Sequence, residues 1–386
     1  MGKEMKGYFI GPMPVGEFLQ EFLPTSQIPD YDPLSFNFVV GAFSDMISVK
    51  NEEHAYKPFI NTITPFAPQL SFVDIHNHPD TQNCLKIDSV VFNIKPDVCV
   101  YPDGREPSSH NCNVSATEII IEFEWSNSHD AFCDPSGVNS VISCTEKGMD
   151  TLGQIMSYTA AQLGTQFHTH TFSLLIVRDH ACIIRWDREG AIVTSAIDYN
   201  NEPHLADFFH HYTQASPEMC GVDTSIMLAS DEEASITRSS LNIPNTTCML
   251  KVNVPNAEGS GSLTLIFPQP ATKSHSPIGR WTRVCPAFDL VNKKVVMFKD
   301  SWRVSLPDVL PEGETYKLLK SHKVSHIANC IAYHDVPPSI PQQSTQTAKF
   351  RCARWASPHL PLTPHTLHHL VLDIVGTKLT DFESSH

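Results

Sequence analysis

The chain has 386 residues, of which 41% are hydrophobic, and this length exceeds that of a typical single hydrophobic core. Its basic and acidic side chains give a formal net charge of 27 − 42 = −15, which repels a phosphate backbone and argues against a nucleic-acid partner. The 11 cysteines form no Cys-x-x-Cys pair, a pattern typical of reduced thiols in an intracellular, cytoplasmic or nuclear protein. No apolar run approaches the roughly 20 residues that span a bilayer, so no membrane association is expected.

The first 64 residues have the pattern of a helical segment. Apolar residues recur at helical spacing from residue 15 to residue 23, and Pro24 ends this pattern. Residues 51–64 form a second helical candidate, with Asn51 as its cap and two glutamates in the first turn. We expect both helices to pack against a neighbouring domain.

Strand patterns begin after this segment and predict an α/β domain over residues 65–230. The apolar runs that indicate strands are 90–94, 98–101, 119–125, 172–177, 181–186 and 191–197, and the helical patterns are 151–163 and 204–212. Periodicity weakens over residues 231–275, which we interpret as a linker that contains short strands. Residues 276–386 then form a further region.

Two His-x-His pairs are candidate metal ligands. The pairs are His76 with His78 and His168 with His170, and alternate residues of a strand point to the same face, as in barrel hydrolases. Such an enzyme takes its other ligands from an eight-fold βα repeat, and this sequence shows no such repeat. Chance pairs are also expected in a chain with 20 histidines. Metal-dependent hydrolysis therefore stays an alternative.

Acidic residues on two successive strands follow the active-site pattern of the PD-(D/E)XK nuclease fold. Asp97 follows Pro96 at the start of one strand, and Glu122 lies on the next. In that fold the two carboxylates hold Mg²⁺, and a lysine two residues after the second carboxylate assists the attacking water. Here that position is Glu124, which repels phosphate. We expect a degenerate nuclease-like scaffold, with residual metal binding at Asp97 and Glu122 as the alternative.

The last third of the chain contains a strand lysine followed by a helix glutamate. Lys299 lies in an apolar stretch, and the predicted helix after it carries Glu312 and Glu314. A second apolar strand follows at residues 369–376. This order matches the small lobe of a protein kinase, an antiparallel sheet plus one helix, where the lysine pairs with the ATP phosphates and with the helix glutamate.

A candidate phosphate-covering turn precedes this lysine. Residues 279–284 contain a single glycine, Gly279, and the bulky Trp281 follows it closely. Backbone amides approach a phosphate closely only where side chains are absent. Nucleotide binding through this turn is therefore in doubt.

The chain resembles the fungal-type protein kinases over most of its length. The most distinctive stretch is Arg185-Trp186-Asp187-Arg188-Glu189-Gly190. Further stretches that carry the resemblance are residues 13–19, 95–101, 203–209, 298–303, 311–314 and 370–379.

The resemblance implies that ATP and Mg²⁺ are the cofactors. Lys299 is similar to the phosphate-binding lysine and Glu314 to its partner, with Glu312 as the alternative because the helix register is open. Asp373 and Val375 lie in a stretch similar to the hinge that contacts adenine through backbone groups.

Family members continue into a catalytic-loop aspartate and a metal-binding aspartate, and neither His-Arg-Asp nor Asp-Phe-Gly occurs in this sequence. We therefore expect an α+β protein in which a nuclease-like domain is joined to a kinase small lobe, truncated after the hinge and catalytically inactive. One alternative is a non-catalytic interaction module that binds a protein partner through an exposed interlobe face. The other is a metal-dependent nuclease.

Overall fold

The computed structural model describes residues 5–33, 36–87, 90–108, 111–132, 141–256, 261–269, 276–337 and 343–376. Within these ranges the chain forms an α+β structure with two seven-stranded sheets and a separate two-stranded sheet. The first compact unit comprises Met1–Val222, Lys273–Gly279 and Thr345–Thr363, and the second comprises Asp223–Thr272, Arg280–Ser344 and Pro364–His386.

No helix in the described ranges is both long enough and apolar enough to cross a membrane.

The first unit contains a mixed sheet with helices along the chain between its strands. Its strands are β1 (Phe9–Met13), β2 (Leu70–Asp74), β5 (Val98–Pro102), β6 (Ile119–Glu124), β7 (His170–Val177), β8 (His180–Asp187) and β9 (Ala191–Thr194), in the order β1-β9-β8-β7-β6-β5-β2. Strands β3 (Asp80–Ile87) and β4 (Val90–Ile94) pair separately. The helices are α1 (Val15–Phe22), α2 (Ser44–Ile47), α3 (Tyr56–Ile63), α4 (Glu146–Thr165) and α5 (His204–Gln214).

Helix α4 joins two parallel strands of this sheet. Strand β5 runs antiparallel to both β2 and β6, whereas β6 and β7 are parallel and therefore need the crossover that α4 provides. The Thr145 hydroxyl caps the helix by accepting a hydrogen bond from the amide of Gly148 at 3.0 Å. All eight residues of β7 are buried. The helix expected at residues 151–163 is confirmed and extends further in both directions.

The N-terminal residues include a strand that the sequence analysis did not anticipate. Strand β1 pairs in parallel with β9 and forms one edge of the first sheet, so residues 1–64 are part of the first unit rather than a helical segment of their own. The strand is short and contains Pro12, which an edge strand tolerates because one row of its amides needs no partner. Asn51 makes no side-chain cap hydrogen bond.

The second unit is built on an antiparallel sheet. Its strands are β10 (Ile226–Leu228), β11 (Met249–Pro255), β12 (Ser262–Pro268), β13 (Thr282–Asp289), β14 (Lys294–Val304), β15 (Cys330–Asp335) and β16 (His365–Leu372), in the order β10-β11-β12-β13-β14-β16-β15. All neighbours in this order are antiparallel. The helices are α6 (Asp231–Leu241) and α7 (Glu312–Ser321).

The chain divides differently from the expected boundaries. Much of the expected linker at residues 231–275 lies in the second unit, as α6, β11 and β12. Helix α6 begins with a capping box between Ser230 and Glu233, and its Ala234 packs against Met249 and Ile266. The short, weakly periodic strands here are stabilised by pairing with distant neighbours, which local periodicity does not reveal. Residues 257–260 and 270–275 of the expected linker lie outside the described residues.

A buried aspartate holds a returning segment of chain within the first unit. The carboxylate of Asp187 accepts hydrogen bonds from the amides of Gln346 (2.7 Å) and Thr347 (3.2 Å) and from the Thr347 hydroxyl (3.0 Å). Arg185, which is also buried, donates to the same carboxylate at 3.0 Å. Glu189 adds a further acceptor, for the amide of Ala348 at 3.0 Å. The distinctive Arg-Trp-Asp-Arg stretch therefore has a structural role as an anchor for residues 346–348.

We expect Asp187→Asn to destabilise the first unit by about 3–5 kcal/mol. The new side-chain NH2 would face groups that themselves donate hydrogen bonds, and the Arg185 guanidinium would lose its charge partner. Urea unfolding measures the free energy, and hydrogen exchange should show faster exchange at the amides of Gln346 and Thr347. The matched control is Asp179→Asn, since Asp179 is exposed, and a change within about 0.5 kcal/mol is expected there. Unchanged stability and exchange in Asp187→Asn would show that the segment does not depend on this carboxylate.

Candidate functional site

Lys299 lies in β14 and forms an ion pair with the first residue of α7. The register of the sheet places it opposite Val284 on one side and Leu370 on the other. Its Nζ lies 2.5 Å from Oε2 of Glu312, and the two side chains are 20% and 30% exposed. The pair is therefore partly shielded from water while one side stays accessible to a ligand.

The alternation of β14 fixes the direction of Lys299. Phe298 precedes it and is buried, with its ring centroid 4.8 Å from that of Phe267 and 5.2 Å from that of His369. Successive strand residues point to opposite faces of a sheet, so Lys299 projects to the face away from this aromatic contact. Turning the lysine inward would expose Phe298 and bury an ammonium group.

A close contact of Gly313 sets the position of α7. A Cβ at Gly313 would lie 1.9 Å from Cγ of Tyr333, so only a glycine permits this approach of the helix to β15. The Tyr333 hydroxyl donates a hydrogen bond to Glu314, and Lys317 Nζ lies 3.3 Å from the same carboxylate. These two contacts also hold the pKa of Glu314 below its usual value.

The structure therefore places Glu312, not Glu314, at Lys299. The sequence analysis named Glu314 as the partner and kept Glu312 as the alternative, because a short helix start does not fix the register. The sequence shows a glycine between the two carboxylates but not the ring that it meets, so it does not decide which carboxylate pairs with Lys299.

The other predicted cofactor residues have different surroundings. Gly279 belongs to the first unit, has a φ of +104°, and donates its amide to the carbonyl of Arg188 at 2.8 Å, so this amide is not free for a phosphate. Asp373 follows β16, where its amide donates to the Asn329 carbonyl at 3.0 Å and its carboxylate accepts from the Asn329 amide at 2.8 Å. Val375 lies just beyond and is 38% exposed.

A separate group of carboxylates surrounds Asp97 in the first unit. Oδ2 of Asp97 accepts from the Phe123 amide at 2.9 Å, and Oδ1 lies 3.0 Å from the hydroxyl oxygen of Tyr56. The same hydroxyl lies 2.9 Å from Oε1 of Glu52. A tyrosine hydroxyl has a single hydrogen and cannot donate to both carboxylates. A proton on one of the two carboxylates completes the chain. With the proton on Asp97, Asp97 donates to Tyr56 and Tyr56 donates to Glu52.

Burial favours the protonated form of Asp97. It raises the pKa of Asp97 to about 7, opposed by the hydrogen bond from the Phe123 amide and reinforced by the nearby Glu52. Glu122 is fully buried, and burial together with Asp97 raises its pKa well above the usual value. Its Oε2 has no hydrogen-bond partner among the described residues.

The third position of the nuclease-like pattern is occupied by a satisfied carboxylate. Glu124 is 2.6 Å from Nδ1 of His129 and accepts from the Thr151 hydroxyl at 2.7 Å. In the described ranges, no group of three or more His, Cys, Asp or Glu side chains is arranged to hold a metal ion. Asp97 lies close enough to Glu122 to raise the pKa of its carboxyl, and Glu124 stands at the position where the nuclease-like pattern has a lysine.

The histidines of the His-x-His pairs contact protein groups. His76 Nδ1 is 2.6 Å from the carboxylate of Asp74. His170 is buried, its Nε2 is 3.0 Å from the Met219 carbonyl, and burial lowers its pKa well below the usual value. Neither contact indicates a metal ligand.

We expect Asp97→Asn to stabilise the protein at alkaline pH relative to wild type. The new amide can accept from the Phe123 amide and donate to Tyr56, as the protonated carboxyl does. Because the folded-state pKa of Asp97 is raised to about 7, its contribution to stability is full below about pH 4 and is lost as the pH rises through about 7. The variant lacks this loss, so its advantage in unfolding free energy should grow by up to about 3 kcal/mol between about pH 5 and pH 8 in urea titrations.

The exposed Asp103 provides the control, since Asp103→Asn should leave the pH dependence unchanged. A variant less stable than wild type at the higher pH would contradict the protonated arrangement. Stabilisation of wild type by Mg²⁺ or Mn²⁺ that is absent in Asp97→Asn would instead favour residual metal binding at Asp97 and Glu122.

Comparison with known families gives one match. The model of the family described as fungal protein kinase matches residues 122–357, more than half of the chain. The matched region includes the Asp187 anchor, Lys299 and Glu312, whereas Asp97, Asp373 and Val375 lie outside it. No curated protein and no solved structure matches the chain. The extent of the family match shows that this chain belongs to the fungal protein kinase family.

Proposed function

We propose that the second unit is a protein-kinase small lobe that presents Lys299 to the phosphates of a nucleotide. The observation that carries the proposal is the ion pair between Lys299 and Glu312, with 2.5 Å between nitrogen and oxygen. In protein kinases the strand lysine must pair with the helix glutamate before the phosphates can be held productively. This chain has the corresponding pair between Lys299 and Glu312.

The arrangement of the strands supports this proposal. Strands β12, β13 and β14 are consecutive neighbours, and Lys299 lies on the third strand of this run. Helix α7 follows that strand, and β15 and β16 complete the antiparallel sheet. These strands and α7 are consistent with the sheet and helix expected of a small lobe, with the lysine on the strand before the helix, whereas β10, β11 and α6 are additional to that arrangement.

Lys299 fits a phosphate group. An ammonium has three hydrogens, and the contact with Glu312 uses one of them, so the others can donate to phosphate oxygens. When bound, ATP would supply the phosphoryl group of a kinase reaction. Gly279 offers no comparable donor, because its amide is bonded to Arg188. We assign no Mg²⁺ ligand among the described residues, in which no suitable side-chain group is found.

For these 386 residues we propose nucleotide binding without phosphoryl transfer. The catalytic-loop and metal-binding aspartates of protein kinases match no segment of the sequence. Such a chain would act as a non-catalytic interaction or regulatory module. Phosphate transfer by the purified chain that is lost in Lys299→Met would contradict this part of the proposal.

We propose that the first unit is a nuclease-like scaffold without nuclease activity. The antiparallel run β2-β5-β6 followed by α4 and the parallel strand β7 supports this interpretation. Asp97 and Glu122 lie at the positions of the metal-binding carboxylates, but their raised pKa values favour protonation, and Glu124 stands where the lysine is needed.

We expect Lys299→Met to weaken the binding of ATP by about ten- to a hundredfold in isothermal calorimetry, because a charge-assisted hydrogen bond contributes roughly 1.5–3 kcal/mol. Glu312→Gln should cause a smaller loss, since it removes the partner that orients the lysine and leaves the ammonium in place. The fold should persist, because a partly exposed ion pair contributes about 0–1 kcal/mol to stability.

The matched control is Glu314→Gln, one helix position beyond Gly313 and away from Lys299. This variant should bind ATP as wild type does. Equal affinity of wild type and Lys299→Met would refute the assignment of Lys299, and a larger loss in Glu314→Gln than in Glu312→Gln would refute the pairing.

A further inference from the structure

A cavity lies beside the C-terminal half of α7. Neither Lys299 nor its partner Glu312 lines it. It has a volume of about 350 Å³ and is bounded by the end of the helix, the segment after it and the start of β15. We call it the lysine groove and define it by Lys317, Lys320, Lys323, Val324, Ile327 and Tyr333.

The segment that follows α7 has a fixed geometry. Lys323 adopts a left-handed conformation with a φ of +54°, which is uncommon for a residue with a side chain. Its amide donates to the Lys320 carbonyl at 3.0 Å, and the amide of Val324 donates to the Leu319 carbonyl at 3.1 Å. These bonds close the helix end and hold Lys323 and Val324 at the cavity, so the groove does not depend on a loose loop.

The charges of the groove are only partly compensated. Lys317 pairs with Glu314 and lies 4.8 Å from the centroid of the Tyr333 ring. Lys320 and Lys323 are exposed and form no ion pair within the described ranges. The chain as a whole carries a formal charge of −15, so this cluster of lysines is a local positive site on an acidic protein.

Apolar side chains lie next to these lysines. Val324 and Ile327 are 45% and 36% exposed, and both line the cavity. Lysines near a helix C-terminus are favoured by the helix dipole. That effect explains neither the exposed aliphatic side chains nor the cavity between them, so the groove offers a ligand both charge and apolar contact.

The spacing of the lysines indicates the form of the ligand. Lys317 and Lys320 are one turn apart, about 4.5 Å along the helix axis, and Lys323 lies beyond the helix end. Carboxylates on alternate residues of an extended chain are about 7 Å apart, and flexible lysine side chains can reach both. A single small anion cannot reach two ammonium groups at this spacing and also contact the apolar side chains.

We propose that the lysine groove binds an extended acidic peptide of a partner protein, in which carboxylates on two alternate residues are followed, two residues later, by an apolar side chain on the same face. The carboxylates contact the ammonium groups of Lys320 and Lys323, and the apolar side chain enters the cavity against Val324 and Ile327. The proposed contacts do not include Lys299 or Glu312.

The test is fluorescence anisotropy of a fluorescein-labelled extended peptide with a glutamate–serine–glutamate–serine–leucine core. We expect saturable binding that weakens with added salt, and a loss of at least about tenfold in affinity when Lys320→Glu and Lys323→Glu are combined. Both lysines are exposed, so the double variant should stay folded, with a melting temperature lowered only slightly by the loss of favourable charges at the helix C-terminus. Lys294→Glu, at an exposed lysine of β14 in the same unit, is the matched control and should bind as wild type does.

Two further peptides separate charge from apolar contact. Replacing the glutamates by glutamines, or the leucine by serine, should each weaken binding. The proposal is overturned if the peptide does not bind, if the double lysine variant binds it equally well, or if the serine peptide binds as tightly as the leucine peptide. Displacement of the peptide by inorganic phosphate at the same concentration would show a simple anion site and would also overturn it.

Discussion

The approach of Gly313 to the ring of Tyr333 determines what the second unit can do. A side chain at this position would collide with the ring, so the glycine alone allows α7 to lie directly against β15. This position brings Glu312 to Lys299 and gives Glu314 to Tyr333 and Lys317. The choice between two carboxylates two residues apart therefore follows from a steric contact, because the charges alone would permit either pairing.

The first unit depends on buried charged groups whose partners come from distant parts of the chain. Asp187 is paired with Arg185 and receives donors from residues 346 and 347, far along the sequence. Asp97 is accommodated in another way, because its burial favours the protonated form that completes the hydrogen bonds with Tyr56 and Glu52. An ionised carboxylate without sufficient partners is costly to bury, and the two sites show the two available solutions.

The sequence predicted the elements with strong local signals. Helix α4 and the strand of Lys299 were expected from their apolar patterns, and the helix after that strand was expected from the two glutamates at its start. The family resemblance is confirmed by the family match. Strand β1 was missed since it is short and proline-containing, and β15 because its burial is incomplete. The region expected to be a linker, residues 231–275, contains α6, β11 and β12. Local periodicity did not reveal them, because they are stabilised by partners that are distant in sequence. The partner of Lys299 required the helix register, which only the contact with Tyr333 reveals.

The most direct test of this account uses an acyl-phosphate derivative of ATP, which acylates a lysine held at the nucleotide phosphates. Peptide mass spectrometry after labelling should find Lys299 modified in preference to the exposed Lys317, and excess ATP should suppress the modification. Labelling of Lys299 that excess ATP does not reduce, or labelling spread equally over the exposed lysines, would contradict the assignment of Lys299 as the phosphate-binding residue.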